Sequence, residues 1–160
     1  MQIIDGATPA DGLSIAVVVS KYNDFVTDRL LTGALGAIAA AGIPGERTTV
    51  VRVPGAFEIP TAARQAAQSG RFDAVVCLGC LIRGATPHFE FIAAAVAHGL
   101  TDASGQSGVP MAFGVLTTNS AEEALERAVD GTGNKGWEAA AAAIEMATIA
   151  RQLAPAAAPR

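Results

Sequence analysis

Four short runs of this chain are apolar or β-branched at nearly every position: residues 15–20 (IAVVVS), 47–53 (RTTVVRV), 73–82 (DAVVCLGCLI) and 111–118 (MAFGVLTT). Continuous runs of this length predict strands covered on both faces, where a half-exposed strand would alternate. Between them the period changes to that of a helix. Over residues 25–41, Val26, Leu30, Ala34 and Ile38 fall on one stripe, and Gly42 stops the pattern. A second helix is predicted over 57–69, closed by Gly70. A third opens with Thr86 as N-cap and Pro87 in the first helical position, and gives way to a polar loop over 101–109. Two more helices, in 120–129 and 135–154, follow the fourth strand and are joined by a glycine-rich turn.

Strands alternating with helices predict right-handed crossovers around a parallel sheet. The expected architecture is α/β: a flavodoxin-like three-layer sandwich, with a four-stranded parallel sheet and helices on both faces. Residues 1–154 are expected to form a single domain, and 155–160 (PAAAPR), with little to bury, a disordered tail. There is no internal repeat and no interdomain linker.

Composition adds a partner. Charged residues are only 16% of the chain and hydrophobic residues 51%, more apolar surface than one small domain easily hides, so a homo-oligomer is expected. Net charge is -4 and lysines and arginines form no run, which removes the electrostatic footprint of a nucleic-acid binder. The first residues, MQIIDGATPADG, lack a basic region followed by an apolar core, and no uncharged apolar stretch reaches the roughly 18 residues of a membrane span. A cytoplasmic protein without a membrane partner is expected. Cys77 and Cys80 spell C-x-x-C, but in a strand that spacing sends them to opposite faces, as ordinary buried thiols.

In open parallel sheets ligands bind at the carboxyl ends of the strands, and the unusual residues of this chain gather there: SKYND after the first strand, VPGAFE after the second, GCLIRGATPH after the third. The helix start at Thr86 offers free amides and a favourable dipole to an anion such as phosphate, and Gly84 and Ala85 allow close approach. His88, on the first turn, is placed for proton transfer, unless it is simply a surface histidine. His98, at the other end of the same helix, suits its C-terminal dipole and no more. Phe57 and Tyr22 can stack on a flat polar ring whose hydroxyl substituents bond Glu58; alternatively Phe57 staples the second helix and Glu58 complements its positive end. The GTGNKG segment at 131–136 matches a dinucleotide fingerprint but follows a helix, so no NAD is expected. No metal-ligand spacing and no Walker lysine is present, and neither metal nor cofactor is expected.

Taken together, the segments YNDF, VPGAFEIP, LGCLIRGATPHFEF, FGVLTT, ERA and GNKG resemble the lumazine synthase family, in family order and over nearly the whole chain. The resemblance implies a cofactor-free condensation of two small molecules, a ribitylaminouracil and a butanone phosphate, in riboflavin biosynthesis. It implies that Tyr22 and Phe57 flank the pyrimidine, that Ala56 and Glu58 line the ribityl site, and that Cys80, Leu81 and Ile82 bind the pyrimidine partly through backbone groups. Ala85 and Thr86 would take the phosphate and His88 would shuttle protons. Phe113 would cover the ring, Arg127 pair with the phosphate and Lys135 add positive charge, all three from the neighbouring subunit of a pentamer. The uninterrupted turn before GNKG leans towards pentamers closed into an icosahedral shell. A tyrosine at 22 and a cysteine at 80 depart from the usual family residues. A non-catalytic riboflavin or lumazine carrier would keep the aromatic pocket without needing His88 or Arg127, and a flavodoxin-like phosphate-binding module would need only the Thr86 nest.

Overall fold

The strands predicted from the apolar runs assemble into one parallel sheet in the order β2-β1-β3-β4. They are β1 (Ile15–Ser20), β2 (Thr48–Val53), β3 (Ala74–Ile82) and β4 (Met111–Thr118). The computed structural model describes residues 1–6 and 10–154. The tail expected at 155–160 lies outside them.

β1 is buried at every position because it runs between β2 and β3 and is covered above and below. On one face lie α1 (Asp24–Ala40), α4 (Ala121–Glu126) and α5 (Lys135–Leu153), whose Leu30, Ala34, Ala124 and Ile144 pack on Val17, Val19 and Leu78. On the other lie α2 (Ile59–Gln68) and α3 (His88–Ser107), whose Ile59, Ala63, Val96 and Leu100 pack on Ala16, Val18 and Val75. The three-layer α/β expectation is met. Cys77 and Cys80 fall on opposite faces, both buried and unpaired.

Three expectations fail. β2 and β4 are not covered on both faces: both are edge strands, the first five residues of β2 being partly or fully exposed, Val50 at 40%, and Phe113 on β4 standing 50% exposed. The loop expected from Thr101 is helix, and α3 continues to Ser107 before Gly108 stops it at φ 71. The polar side chains there are absorbed locally, Thr101 donating to the Ala97 carbonyl at 2.9 Å and Ser107 to that of Ala103 at 2.7 Å, while Leu100 and Ala103 are buried. His98 is therefore mid-helix, away from the C-terminal dipole. Finally, Thr86 is not the N-cap: α3 starts one residue later, flanked by Pro87, and no side chain caps it.

The glycine-rich segment ahead of α5 serves packing. Asn134 accepts from the amide of Gly136 at 2.8 Å and donates to the carbonyls of Arg29 at 3.0 Å and Val129 at 2.8 Å. A Cβ on Gly136 would stand 2.0 Å from the Leu30 carbonyl oxygen, so only glycine lets α5 approach α1 this closely.

Candidate active site

The carboxyl ends of β1, β2 and β3 open into one cavity, and each chain segment leaving a strand is held by its neighbour. After β1, the amide of Lys21 donates to the Val53 carbonyl at 2.8 Å and that of Tyr22 to Pro54 at 3.1 Å. Tyr22 is thereby presented at the rim, 73% exposed. Asn23 then turns the chain in the left-handed region, φ 61 and ψ 45, and its carbonyl starts α1 by accepting from Val26 and Thr27 at 3.0 Å each.

After β2, the turn is closed by Glu58, which accepts from the Gly55 amide at 2.8 Å. A short 3-10 helix, Ala56–Glu58, precedes α2 and leaves Ala56 buried while Phe57 projects, 61% exposed. Both sequence-based roles of Glu58 are thus geometrically open: it caps the helix entry and it lines the cavity.

β3 supplies the floor through Cys80, Leu81 and Ile82. Burial pushes the Cys80 thiol up to about 11 and the Cys77 thiol higher still, so neither is a nucleophile at neutral pH. Beyond Arg83 the chain passes through Gly84, Ala85 and Thr86 to α3. Among the described residues, the amides of Gly84, Ala85, Thr86, His88 and Phe89 find no acceptor. A row of bare N–H groups at the start of a helix is suited to an anion.

The cavity holds about 700 Å³ and is lined by Tyr22, Ala56, Phe57, Glu58, Cys80, Leu81, Ile82, Thr86 and His88. Nine sequence-predicted positions therefore converge in one place. Ala85 is exposed beside it. Gly55 and Gly84, whose backbone the sequence marks for flexibility and close approach, line it too, as do Asn23, Phe89, Phe91 and Ile92, which the sequence does not single out for the site. Two aromatic residues within PHFEF, in a chain only 5% aromatic, were the available signal.

Phe113, Arg127 and Lys135 are not brought to this cavity. They line a separate concavity of about 420 Å³ beside β4 and α5. Arg127 donates to the Glu123 carbonyl at 2.8 Å, and Lys135 pairs with Glu138 at 2.7 Å. Among the described residues no histidine, cysteine or carboxylate cluster is arranged to hold a metal ion, and no helix is long and apolar enough to cross a membrane.

The family model for 6,7-dimethyl-8-ribityllumazine synthase matches residues 12–151. The chain is 52% identical over 151 residues to 6,7-dimethyl-8-ribityllumazine synthase of Syntrophus aciditrophicus (strain SB), covering 94% of this chain and 98% of that protein. It is 46% identical over 151 residues to the protein of the same name from Desulfatibacillum aliphaticivorans, covering 94% and 97%. With the α/β sandwich, the convergent cavity and a match spanning nearly every element, this chain belongs to the 6,7-dimethyl-8-ribityllumazine synthase family.

Proposed function

We propose that this enzyme condenses 5-amino-6-(D-ribitylamino)uracil with 3,4-dihydroxy-2-butanone 4-phosphate to give 6,7-dimethyl-8-ribityllumazine, phosphate and water, the penultimate step of riboflavin biosynthesis. The observation that carries this is a single cavity in which aromatic faces, a carboxylate, exposed strand ends and a row of bare amides all stand next to one histidine. Each half of the cavity suits one substrate. Tyr22 and Phe57 offer ring faces to the pyrimidine, Cys80, Leu81 and Ile82 offer strand-end backbone to its polar edge, and Ala56 and Glu58 meet the ribityl hydroxyls. The Ala85–Thr86 segment receives the phosphate at the start of α3.

The chemistry asks little more of the protein than proximity and proton transfer. The pyrimidine amine adds to the ketone and loses water as an imine; a carbon proton is then removed and phosphate leaves; the ribityl-bearing nitrogen closes the second ring with loss of water. Holding both reactants side by side supplies most of the acceleration. His88, beside the phosphate amides, takes and returns the protons of imine formation and phosphate departure.

Phe113, Arg127 and Lys135 act on the cavity of the adjacent subunit, covering the ring and adding positive charge at the phosphate. This requires a homo-oligomer, read here as cytoplasmic pentamers with a lean towards an icosahedral shell. Support comes from apolar surface left bare on one chain, including Phe91 at 73% and Phe113 at 50% exposure. Mixing the two substrates with enzyme and following lumazine absorbance together with phosphate release tests the reaction. Absence of product above the uncatalysed rate overturns it.

A further inference from the structure

Arg83 leaves β3 at the rim of the cavity, and its side chain joins α3 to the connection between β4 and α4. Its backbone amide donates to the Thr118 carbonyl at 2.9 Å and its Nε donates to Oδ1 of Asn119 at 3.0 Å, in the connection from β4 to α4. Its Nη1 is paired with Glu90 on the first turn of α3, and its guanidinium lies 4.7 Å from the centre of the Phe89 ring. Asn119 is itself anchored, its amide donating to Glu123 at 2.9 Å.

Residues 84–87 lie between the two ends of this contact. The segment leaves the sheet at Arg83 and enters α3 at His88, so the Arg83–Glu90 pair bridges its entrance and its exit. The Glu90 carboxyl is held below the usual carboxylate range by a backbone hydrogen bond and by Arg83, so the pair stays ionised near neutrality. Both partners are about half exposed, and such pairs add little to global stability. Their consequence is geometric: a planar guanidinium with fixed donors sets the spacing of the groups it joins.

We propose that Arg83 is a positioning residue for phosphate-substrate binding: with Glu90, Phe89 and Asn119 it fixes the bare amides of residues 84–86 relative to His88, and it does not itself contact the phosphate. This deepens the reaction assigned above and rests on it. An arginine beside an anion site invites the opposite assignment, a direct ligand. The two differ in what Glu90 does. If Arg83 positions, removing the Glu90 charge loosens the segment and weakens phosphate binding. If Arg83 is a ligand, the same change releases its guanidinium and tightens binding.

Wild-type enzyme, Arg83→Lys, Glu90→Gln and the double variant are compared for kcat, for KM of each substrate and for inhibition by inorganic phosphate. Product formation by wild-type enzyme tests the reaction itself, and the inference is then judged on the variants. Each single variant should raise KM for the butanone phosphate and the phosphate inhibition constant by about tenfold, with the pyrimidine KM changed less than about twofold. The double variant should be no worse than the worse single, because both remove one contact. Lysine keeps the charge yet cannot hold Glu90 and Asn119 together, so it should not rescue. Tighter phosphate binding by Glu90→Gln overturns the proposal and makes Arg83 a ligand. Unchanged constants in the single variants, multiplicative effects in the double, or equal rises in KM for both substrates overturn it as well.

Discussion

The side-chain amide of Asn23 donates to the carbonyl oxygen of Cys80 at 2.9 Å, tying the carboxyl end of β1 to that of β3 across the cavity floor. Asn23 flanks the start of α1 in a position where an asparagine would ordinarily cap the helix, yet its side chain makes no cap bond. Its left-handed backbone, φ 61, turns the amide away from the helix and towards β3.

The stability of the enzyme should therefore be sensitive to Asn23 in a graded way. Asn23→Ala loses the bond and leaves a Cβ in the left-handed region, costing about 1–3 kcal/mol, whereas Asn23→Gly keeps the backbone relaxed and should cost about 1 kcal/mol less than alanine. Denaturant midpoints measure the order. Alanine as stable as wild type, or more stable than glycine, would show that neither the bond nor the backbone geometry matters.

His88→Ala should lower single-turnover rates by about 10 to 10⁴-fold while inorganic phosphate binding stays close to wild type, because proton transfer is removed and the amides of residues 84–86 remain. A loss confined to phosphate affinity would make His88 a ligand and not a proton carrier.

The parts of this molecule legible in the sequence were those governed by local pattern. The apolar runs became β1 and β3 because central strands see helices on both faces, and Gly42 and Gly70 ended α1 and α2 with φ values of 79 and 69. Residues 101–107 misled because Thr101, Ser104 and Ser107 look like loop composition, while their hydroxyls in fact bond nearby carbonyls within or just beyond α3. Edge position was equally invisible: the apolar run of β2 reads like that of β1, and only strand order shows which side lacks a neighbour. The cavity was legible where motifs sit at strand ends. Asn23 was not, since its contribution depends on a left-handed turn conformation that no motif announces.

The buried thiols should be inert in the native state. With Cys80 pushed up from 9.0 to about 11 by burial, its thiolate fraction at pH 8 is about one in a thousand, and Cys77 lies higher. Folding holds this proton more tightly than the unfolded chain does, so the contribution to stability is intact below about 9 and is lost as pH rises towards 11. Iodoacetamide at pH 8 should leave both cysteines unmodified until denaturant is added, as read by intact mass. Rapid native alkylation of Cys80 would contradict its burial.

The separation of Phe113, Arg127 and Lys135 from the cavity of their own chain leads to a test of the shared site. Arg127 closes α4, six residues long, on the far side of β4 from α3, and its guanidinium is turned back onto Glu123. Two variants break opposite halves: Arg127→Ala removes the positive charge, and Ala85→Glu sets a carboxylate among the bare amides, where it repels phosphate. Each alone should be nearly inactive. If the site is shared around a ring of heterologous contacts, each site takes its anion segment from one subunit and its arginine from the next. After unfolding and joint reassembly in equal amounts, the first is intact in half of the subunits and the second in the other half, so about one site in four is complete. Activity should return towards a quarter of wild type. If differently tagged chains co-purify and activity stays at the level of the parents, Arg127 serves its own subunit's cavity or none, and the shared-site reading of this arginine is wrong.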